Sequence, residues 1–208
     1  MSAAGAVRKQ RTKAQDSLRT LRRAQIVAAA RSIVAGQGLE ALTVGALEER
    51  VGFSRGVITY HFKDKDEIVA EVLASAALEI DQGTRESLHQ HVTVAEAVRA
   101  VLETKVRGFL SHREASLILV SFWSRAQGSA KVKKASADLY ARYRAQSDRL
   151  IQLARAQNGR CRARPGAFGT VMVGVVIGLV LQVWFDPSVE VEGALEEASR
   201  ALVAHLEG

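Results

Sequence analysis

The fold of this chain is decided by the stretch FSRGVITYHFKD, residues 53–64. Ser54 is placed to cap a short helix by accepting hydrogen bonds from its first N–H groups. Val57, Ile58 and Phe62 are expected to anchor that helix inward. A helix this short is unstable in isolation, so a surrounding helical module must hold it.

The polar side chains of the same helix are expected to face outward. They are Arg55, Thr59, Tyr60 and His61. A cation, two hydroxyl groups and an imidazole can hydrogen-bond to phosphates or to base edges. The stretch therefore predicts an exposed helix edge that suits DNA.

Two helices are predicted upstream of this one. The first begins near Leu18, because apolar residues follow the spacing i, i+3, i+4, i+7 and i+8 from Ile26. The second begins at a Thr43 cap, and Gly52 ends it. Two short helices joined by a glycine-containing turn make a helix-turn-helix, so we assign residues 18–65 to a DNA-binding domain.

Residues 66–208 predict further helices and no strands. Only two prolines occur in 208 residues, and Ala, Leu, Glu and Arg are abundant, which favours helices nearly throughout. Helices are expected from Asp64, after a Thr93 cap, at 114–126, from Gly128 to Asn158, at 167–185 and from Val191. The fold class is therefore all-α: an N-terminal three-helix module followed by a larger helical domain.

The net charge of +7 lies entirely in the N-terminal third of the chain. Residues 1–65 hold twelve Lys or Arg and five Asp or Glu, whereas residues 66–208 are balanced. This distribution is typical of a polyanion-binding module joined to a neutral domain. Residues 1–17 are small, polar and basic, and they predict a flexible arm that is either solvated or in contact with phosphates or the minor groove.

Other classes of protein are disfavoured. The single Cys161 cannot form an internal disulfide, which indicates a reducing cytoplasm. His89 and His91 lack the Cys, Asp or Glu neighbours of a metal site, so we expect no metal, no cofactor and no catalytic residues. The apolar segment at 167–185 has the length of a membrane span, but its glycines and Gln182 favour a buried interface helix.

Thr43-Val44 and the sequence from Val51 to Lys65 resemble the N-terminal DNA-binding signature of the tetracycline-repressor (TetR) family. Its specific part is Ser-x-Gly-x-Ile/Leu-x-x-x-Phe-x-x-Lys, which residues 54–65 match. The resemblance implies a cytoplasmic repressor of transcription that binds a palindromic operator as a homodimer and is released by a small molecule. It also implies that residues 66–208 form a ligand-binding and dimerisation domain.

The resemblance further implies roles for single residues of the module. Arg55 and Thr59 would contact base edges in the major groove, and Gly56 would let the helix backbone approach the DNA. Phosphate contacts would come from Thr43, Ser54, Tyr60, His61 and Lys65.

A second resemblance concerns the C-terminal helices. Ser116–Trp123, the long basic helix and Val175–Phe185 are similar to the branch of the family that senses choline and controls betaine synthesis. This chain differs at 177–180, where Ile-Gly-Leu-Val replaces the usual Asp-Gly-Leu-Trp and removes a partner for a cation. Candidate ligand-binding residues are the aromatic ones, Phe109, Phe122, Trp123, Tyr140, Tyr143 and Trp184. They would bind a cationic or aromatic effector, or they belong to the hydrophobic core.

Two alternatives to a repressor remain from the sequence alone. The same basic module would serve an activator or an architectural protein that binds DNA without sequence preference. The segment at 167–185 would anchor a membrane-associated protein. The affinity ratio between specific and non-specific DNA, and the recovery of a soluble dimer, distinguish these from the repressor.

Overall fold

The computed structural model describes residues 3–81, 93–125, 128–159 and 161–207, with side chains from residue 15 onward except at 123–125. These ranges contain nine α-helices, one 3₁₀ helix at 39–41 and no strand. The prediction of an all-α chain is thereby confirmed. The predicted polar break at 82–92 lies outside the described residues.

The helices follow the order expected from the sequence. The N-terminal ones are α1 Ala3–Gln37, α2 Val44–Val51, α3 Arg55–His61 and α4 Lys65–Ile80. The C-terminal ones are α5 Val94–Ser111, α6 Arg113–Arg125, α7 Ala130–Asn158, α8 Ala167–Phe185 and α9 Val191–Glu207.

Local capping chemistry sets most of these boundaries. Thr43 Oγ1 accepts a hydrogen bond from the Ala46 N–H at 3.1 Å and starts α2, and Gly52 ends that helix with φ of 68°, in the left-handed region. Thr93 and Glu96 form a capping box at the start of α5. Ser54 corrects one expectation, because its hydroxyl makes no capping bond to the described N–H groups of α3.

The N-terminal segment differs from the predicted flexible arm. Residues 3–17 form the first turns of α1, so the expectation of a stretch without regular structure at 1–17 is corrected. The physical reason is composition: Ala, Arg, Lys and Gln have high helix propensities, and no proline interrupts them. The missing apolar stripe, on which the prediction relied, governs packing rather than helix formation.

The chain divides into two compact units. The first unit contains Met1–Ser75 and Leu117–Lys133, and the second contains Ala76–Ser116 and Lys134–Gly208. The helices α4, α6 and α7 therefore contribute residues to both units. The functional division at residue 65 stays a prediction.

The core of the first unit confirms the anchors that the sequence assigned to the short helix α3. Ile58 and Phe62 are 1% and 2% exposed, and Val57 is half-buried. They pack in the same unit as the buried stripe of α1, to which Ile26 and Val34 belong. Burial of these apolar side chains, rather than its own hydrogen bonds, holds a seven-residue helix in place.

In the second unit, two glycines allow helices to pack at backbone distance. A Cβ atom on Gly108 of α5 would lie 2.7 Å from the carbonyl oxygen of Ile80. A Cβ atom on Gly169 of α8 would lie 2.7 Å from both the Cα and the carbonyl oxygen of Arg144 in α7. Both contacts are closer than real Cβ atoms permit, so the packing of α5 and α8 requires glycine at these positions.

Helix α8 is unusually apolar. Its 19 residues reach a mean hydropathy of 2.1, and one third of that window is buried. Within the described ranges it is the single helix long and apolar enough to cross a membrane, a test that core helices of soluble proteins also pass.

The Gly169 contact predicts a destabilising substitution. We expect Gly169→Ala to lower the free energy of unfolding by about 1–2 kcal/mol, because overpacking against Arg144 outweighs the helix propensity gained by alanine. The measurement is urea unfolding at fixed protein concentration. The control is Gly36→Ala, at an exposed helical glycine where a Cβ meets no atom within 4 Å. Equal stability of the two variants would contradict the close contact.

Candidate DNA-binding surface and ligand cavity

The outer edge of α3 is a continuous exposed surface. Arg55, Gly56, Thr59 and Tyr60 are all exposed, and Tyr60 retains 69% of its accessible surface. This placement agrees with the outward orientation expected from the sequence for three of the four polar residues. The edge presents a guanidinium group, a hydroxyl, a phenol and a bare stretch of helix backbone.

Thr59 presents its methyl group more freely than its hydroxyl proton. The hydroxyl donates to the carbonyl oxygen of Arg55 at 3.0 Å, with the Gly56 carbonyl at 3.2 Å. Back-bonding of this kind is common for Thr in helices. The oxygen keeps lone pairs for accepting a hydrogen bond, while the methyl group is available for apolar contact, such as with a thymine methyl.

Gly56 leaves open space at the centre of this edge. A Cβ atom there would meet only Ser54 Oγ, at 4.0 Å, among the described residues. The helix itself therefore does not require glycine at this position. A glycine that is unnecessary for folding suits close approach by an external partner.

His61 corrects the fourth outward assignment. It is 7% exposed, its ring packs edge-on against Tyr60 at 5.1 Å between centroids, and its Nδ1 has no hydrogen-bond partner among the described residues. His61 lies at the last turn of α3, and its carbonyl oxygen accepts a hydrogen bond from Arg23 of α1 at 2.7 Å. In this conformation the ring does not offer itself to a phosphate.

The surroundings of His61 disfavour its protonated form. Burial is the main cause of a lowered pKa, and the nearby cations Arg19, Arg22 and Arg23 lower the pKa further. The imidazole is therefore held neutral to a lower pH than an exposed histidine.

Arg23 joins three elements of the first unit, and sequence reasoning missed it. Besides the His61 carbonyl, its guanidinium donates to Glu67 at 3.1 Å and to Glu71 at 2.6 Å, both in α4. It also lies 4.0 Å from the centroid of the Phe62 ring. Hydrogen bonds from the Lys63 N–H and from Arg23 hold the pKa of Glu67 below its usual range.

Two neighbouring arginines of α1 extend the positive surface. Arg19 lies 5.7 Å from the Tyr60 ring centroid, and Arg22 lies 4.7 Å from that of Phe53. The spacing of the three arginines along one polar face of α1 was visible in the sequence, but it carried no sign of which aromatic rings they would meet.

The predicted phosphate contacts other than His61 are exposed. Thr43 and Ser54 lie at the starts of α2 and α3, and Lys65 lies at the start of α4. Exposed N–H groups and hydroxyls at helix starts are ordinary phosphate partners. Structure and sequence therefore agree on the accessibility of these residues, while their contact with DNA stays a prediction.

The start of α4 is held by residues from the beginning of α7. Asp64 accepts from the Glu67 N–H at 2.9 Å and pairs with Lys131, and Ser129 donates to Asp66 at 2.6 Å. The hydrogen bond from Lys131 is the main cause of a lowered pKa for Asp64. These contacts all lie within the first unit.

A small cavity of about 30 Å³, partly open to solvent, lies within the second unit. Its walls come from α5, α7 and α8. Apolar side chains supply most of the lining, namely Val101, Phe109, Met172, Val173, Val176 and Ile177. Four polar residues complete it, namely Lys105, Tyr143, Gln146 and Ser147. An apolar cavity with a few converging polar groups is the usual form of a small-molecule site.

One polar residue of this cavity, Lys105, belongs to an ion pair. Lys105 pairs with Asp81, and its ammonium lies 4.3 Å from the centroid of the Tyr143 ring. Burial lowers the pKa of Lys105 against the opposing effect of Asp81, and burial raises the pKa of Tyr143. Tyr143 Oη and Gln146 Oε1 are buried without a hydrogen-bond partner among the described residues.

The structure separates the six aromatic residues that the sequence grouped together. Phe109 and Tyr143 line the cavity, and the Tyr140 ring meets that of Tyr143 edge-on at 6.2 Å. Phe122 is 1% exposed, lies in the first unit and is not part of this lining, so its assignment to a ligand site stays a prediction. Trp184 is half-buried and is not part of this lining, and the side chain of Trp123 lies outside the described residues.

The environment of His61 predicts a pH dependence of stability. Because its pKa is lowered in the folded chain, the unfolded chain binds more protons below about pH 6.5. The stabilising contribution of neutral His61 is therefore complete above that pH and is lost progressively as the pH falls below it. We expect His61→Gln to reduce the stability difference between pH 7.5 and pH 5.0, measured by urea unfolding.

The control for this measurement is His205→Gln, at an exposed histidine of α9. It should leave the difference between the two pH values close to that of the parent. A His61→Gln variant with the full parental pH dependence would contradict the buried, neutral imidazole.

Two family models of bacterial regulators match the sequence of this chain. The family model of bacterial regulatory proteins of the tetR family matches residues 26–72, and that of the C-terminal region of BetI-type transcriptional repressors matches residues 94–207. The HTH-type transcriptional regulator BetI of Vibrio campbellii is 23% identical over 116 residues, which are 55% of this chain and 58% of that protein. The chain thus spans a little over half the length of this relative.

Solved structures share the fold over most of the chain. A protein from Pseudomonas aeruginosa PAO1 described as a transcriptional regulator superposes with a TM-score of 0.78 at 18% identity, over 90% of this chain and 91% of that one. One from Saccharomonospora viridis, solved in complex with choline, superposes with a TM-score of 0.70 at 19% identity, over 89% and 97%. The chain belongs to the tetR family of bacterial regulatory proteins, with a BetI-type C-terminal region.

Proposed function

We propose that this regulator is a cytoplasmic, homodimeric repressor that binds a palindromic operator and is released by a small molecule. The observation that carries the DNA-binding part is the exposed edge of α3, where Arg55, Gly56 and Thr59 follow one another on a helix packed from behind by Ile58 and Phe62. Each subunit places this edge in the major groove of one half-site.

Within that arrangement the residues divide into two roles. Arg55 reads a guanine through its O6 and N7 atoms, and Thr59 contacts a neighbouring base through its methyl group or its oxygen. Thr43, Ser54, Tyr60 and Lys65 bind phosphates, which fixes the position of the helix without reading sequence. Burial of His61 in the free chain supports leaving it out of this second group.

The dimer is formed by α8 and α9 of two subunits. Support comes from the uncovered side of α8, where Val171 and Phe185 are 56% and 86% exposed and a Cβ on Gly174 or Gly178 would meet no described atom within 4 Å. An apolar stripe with small residues suits close packing against another helix, and soluble proteins rarely leave such a stripe in water. A second copy of the same two helices would complete a four-helix interface.

The effector binds in the cavity of the second unit and biases α4. Helix α4 ends at Ile80, and the next residue, Asp81, pairs with Lys105 of the cavity. A ligand changes operator affinity only by binding one conformation of the dimer better than the other. The direct check is an operator gel shift repeated across a panel of compounds.

Gly56→Ala tests the DNA-binding surface. The site is the duplex obtained by selection from a random library, and affinity is measured by fluorescence anisotropy at fixed salt. We expect the added methyl group to keep α3 from the DNA and to weaken binding at least about tenfold, which corresponds to about 1.4 kcal/mol. Folding should be unharmed, since the same methyl group meets open space in the free chain.

The matched control is Gly36→Ala, another open helical glycine, in α1. It should keep the parental affinity for the selected duplex. A Gly56→Ala variant that binds the selected and the scrambled duplexes as the parent does would remove α3 from the recognition surface and overturn the proposed function.

Val171→Glu tests the dimer. A carboxylate in the centre of the uncovered α8 stripe would lose its water on association, so we expect a monomer by sedimentation at micromolar concentration, with weakened operator binding. The control is Leu78→Glu, because Leu78 is a comparably exposed leucine on α4, at 71%. If Val171→Glu remained dimeric while Leu78→Glu dissociated, the interface would lie elsewhere.

A further inference from the structure

The cavity of the second unit already contains a cation of its own. The Lys105 ammonium rests 4.3 Å from the centroid of the Tyr143 ring, and the Lys105 side chain is 9% exposed. An aromatic face is where a quaternary ammonium ligand would rest in a cation-binding site. In this chain the protein's own ammonium covers that face.

This arrangement disfavours a cationic effector. A second positive charge beside Lys105 would be repelled in surroundings where charges are poorly screened, and among the described residues only Asp81 pairs with the first. The aromatic residues predicted a cationic or aromatic effector. Lys105, which the sequence did not place in the cavity, disfavours the cationic one.

The same polar groups suit an acceptor with negative charge. An ammonium has three N–H donors, and the hydrogen bond to Asp81 engages one of those on Lys105. Tyr143 Oη is buried without a partner among the residues described and can donate a further hydrogen bond. The amide of Gln146 can rotate to present its NH₂ group in place of the unpartnered oxygen. The lining thus offers three side-chain donors, on Lys105, Tyr143 and Gln146.

Most of the remaining lining is apolar. Val101, Phe109, Met172 and Val176 belong to it. They can cover a hydrocarbon or aromatic body but offer it no hydrogen bonds. The site therefore distinguishes the two ends of an amphiphilic molecule.

We propose that this cavity binds a monocarboxylate with an apolar body, and that the carboxylate of the ligand replaces Asp81 as the counter-ion of Lys105. The proposal rests on the small-molecule-responsive function proposed above and specifies the class of effector. Asp81 is the partner that leaves the pair, because its side chain is 19% exposed and can be hydrated once it is free. Lys105 is more deeply buried, so leaving it without a counter-ion would cost more free energy. The exchange frees the residue that directly follows α4 from α5.

Isothermal titration of the full chain with two sets of matched compounds tests the class of ligand. Octanoate and 4-phenylbutyrate carry the carboxylate, and their amides and trimethylammonium counterparts carry the same apolar bodies. We expect the better carboxylate to bind at least about tenfold more tightly than its amide, with the ammonium compound weakest. An ammonium compound that binds as tightly as its carboxylate, or a set in which no carboxylate binds, would overturn the proposal.

Three variants test the counter-ion exchange. Lys105→Met should lower carboxylate affinity at least about tenfold, and Tyr143→Phe should lower it severalfold. Asp81→Asn should raise carboxylate affinity, since it removes the competing anion while a merely structural residue would lower it. Lys134→Met, at an exposed lysine of α7, is the control and should change nothing. Unchanged affinity in Lys105→Met, or reduced affinity in Asp81→Asn, would contradict the exchange.

Operator binding without any ligand separates this inference from the proposed function. A chain that binds its operator but no carboxylate would remain a DNA-binding regulator and would refute the proposed effector class. A chain that binds carboxylates at Lys105 but shows no sequence-specific DNA binding would support the site and refute the proposed repressor.

Discussion

The short helix α3 depends on one guanidinium group outside it. Seven residues cannot sustain a helix in water, and α3 has no capping hydrogen bond from the Ser54 side chain within the part of the chain that the structure describes. Arg23 compensates by donating to the carbonyl of His61 at the end of α3 and to Glu67 and Glu71 of α4, while its flat face covers Phe62. The planar guanidinium group of an arginine can donate to a carbonyl and two carboxylates at fixed angles, whereas the ammonium group of a lysine cannot.

The positively charged residues of the first unit consequently have two roles. Part of it is expected at the DNA surface, whereas Arg19, Arg22 and Arg23 contact Tyr60, Phe53 and Phe62 and surround His61. The net charge of the unit does not show which residue has which role. Burial, and then the charges of the three arginines, lower the pKa of His61, so at neutral pH it contributes ring volume to the module rather than charge.

The sequence predicted what local chemistry controls. Helix order, the Thr43 and Thr93 caps and the inward anchors Ile58 and Phe62 follow from spacing and capping preferences within a few residues. It did not predict what distant residues decide. The burial of His61 and the contacts of Arg23 depend on partners that lie 38 or more positions apart. The aromatic residues predicted a ligand site, but the residue that gives the cavity its positive charge is Lys105.

The pairing of Asp64 with Lys131 has a consequence for how this regulator responds to ionic strength. Asp64 lies next to Lys65, one of the residues expected to touch a phosphate, and the ammonium of Lys131 masks its negative charge. Both partners are exposed, so dissolved ions weaken the pair. Added salt then displaces the protein from DNA by the usual competition of counter-ions and also uncovers a carboxylate that repels the duplex. The dependence of affinity on salt should therefore be steeper than the number of phosphate contacts alone implies.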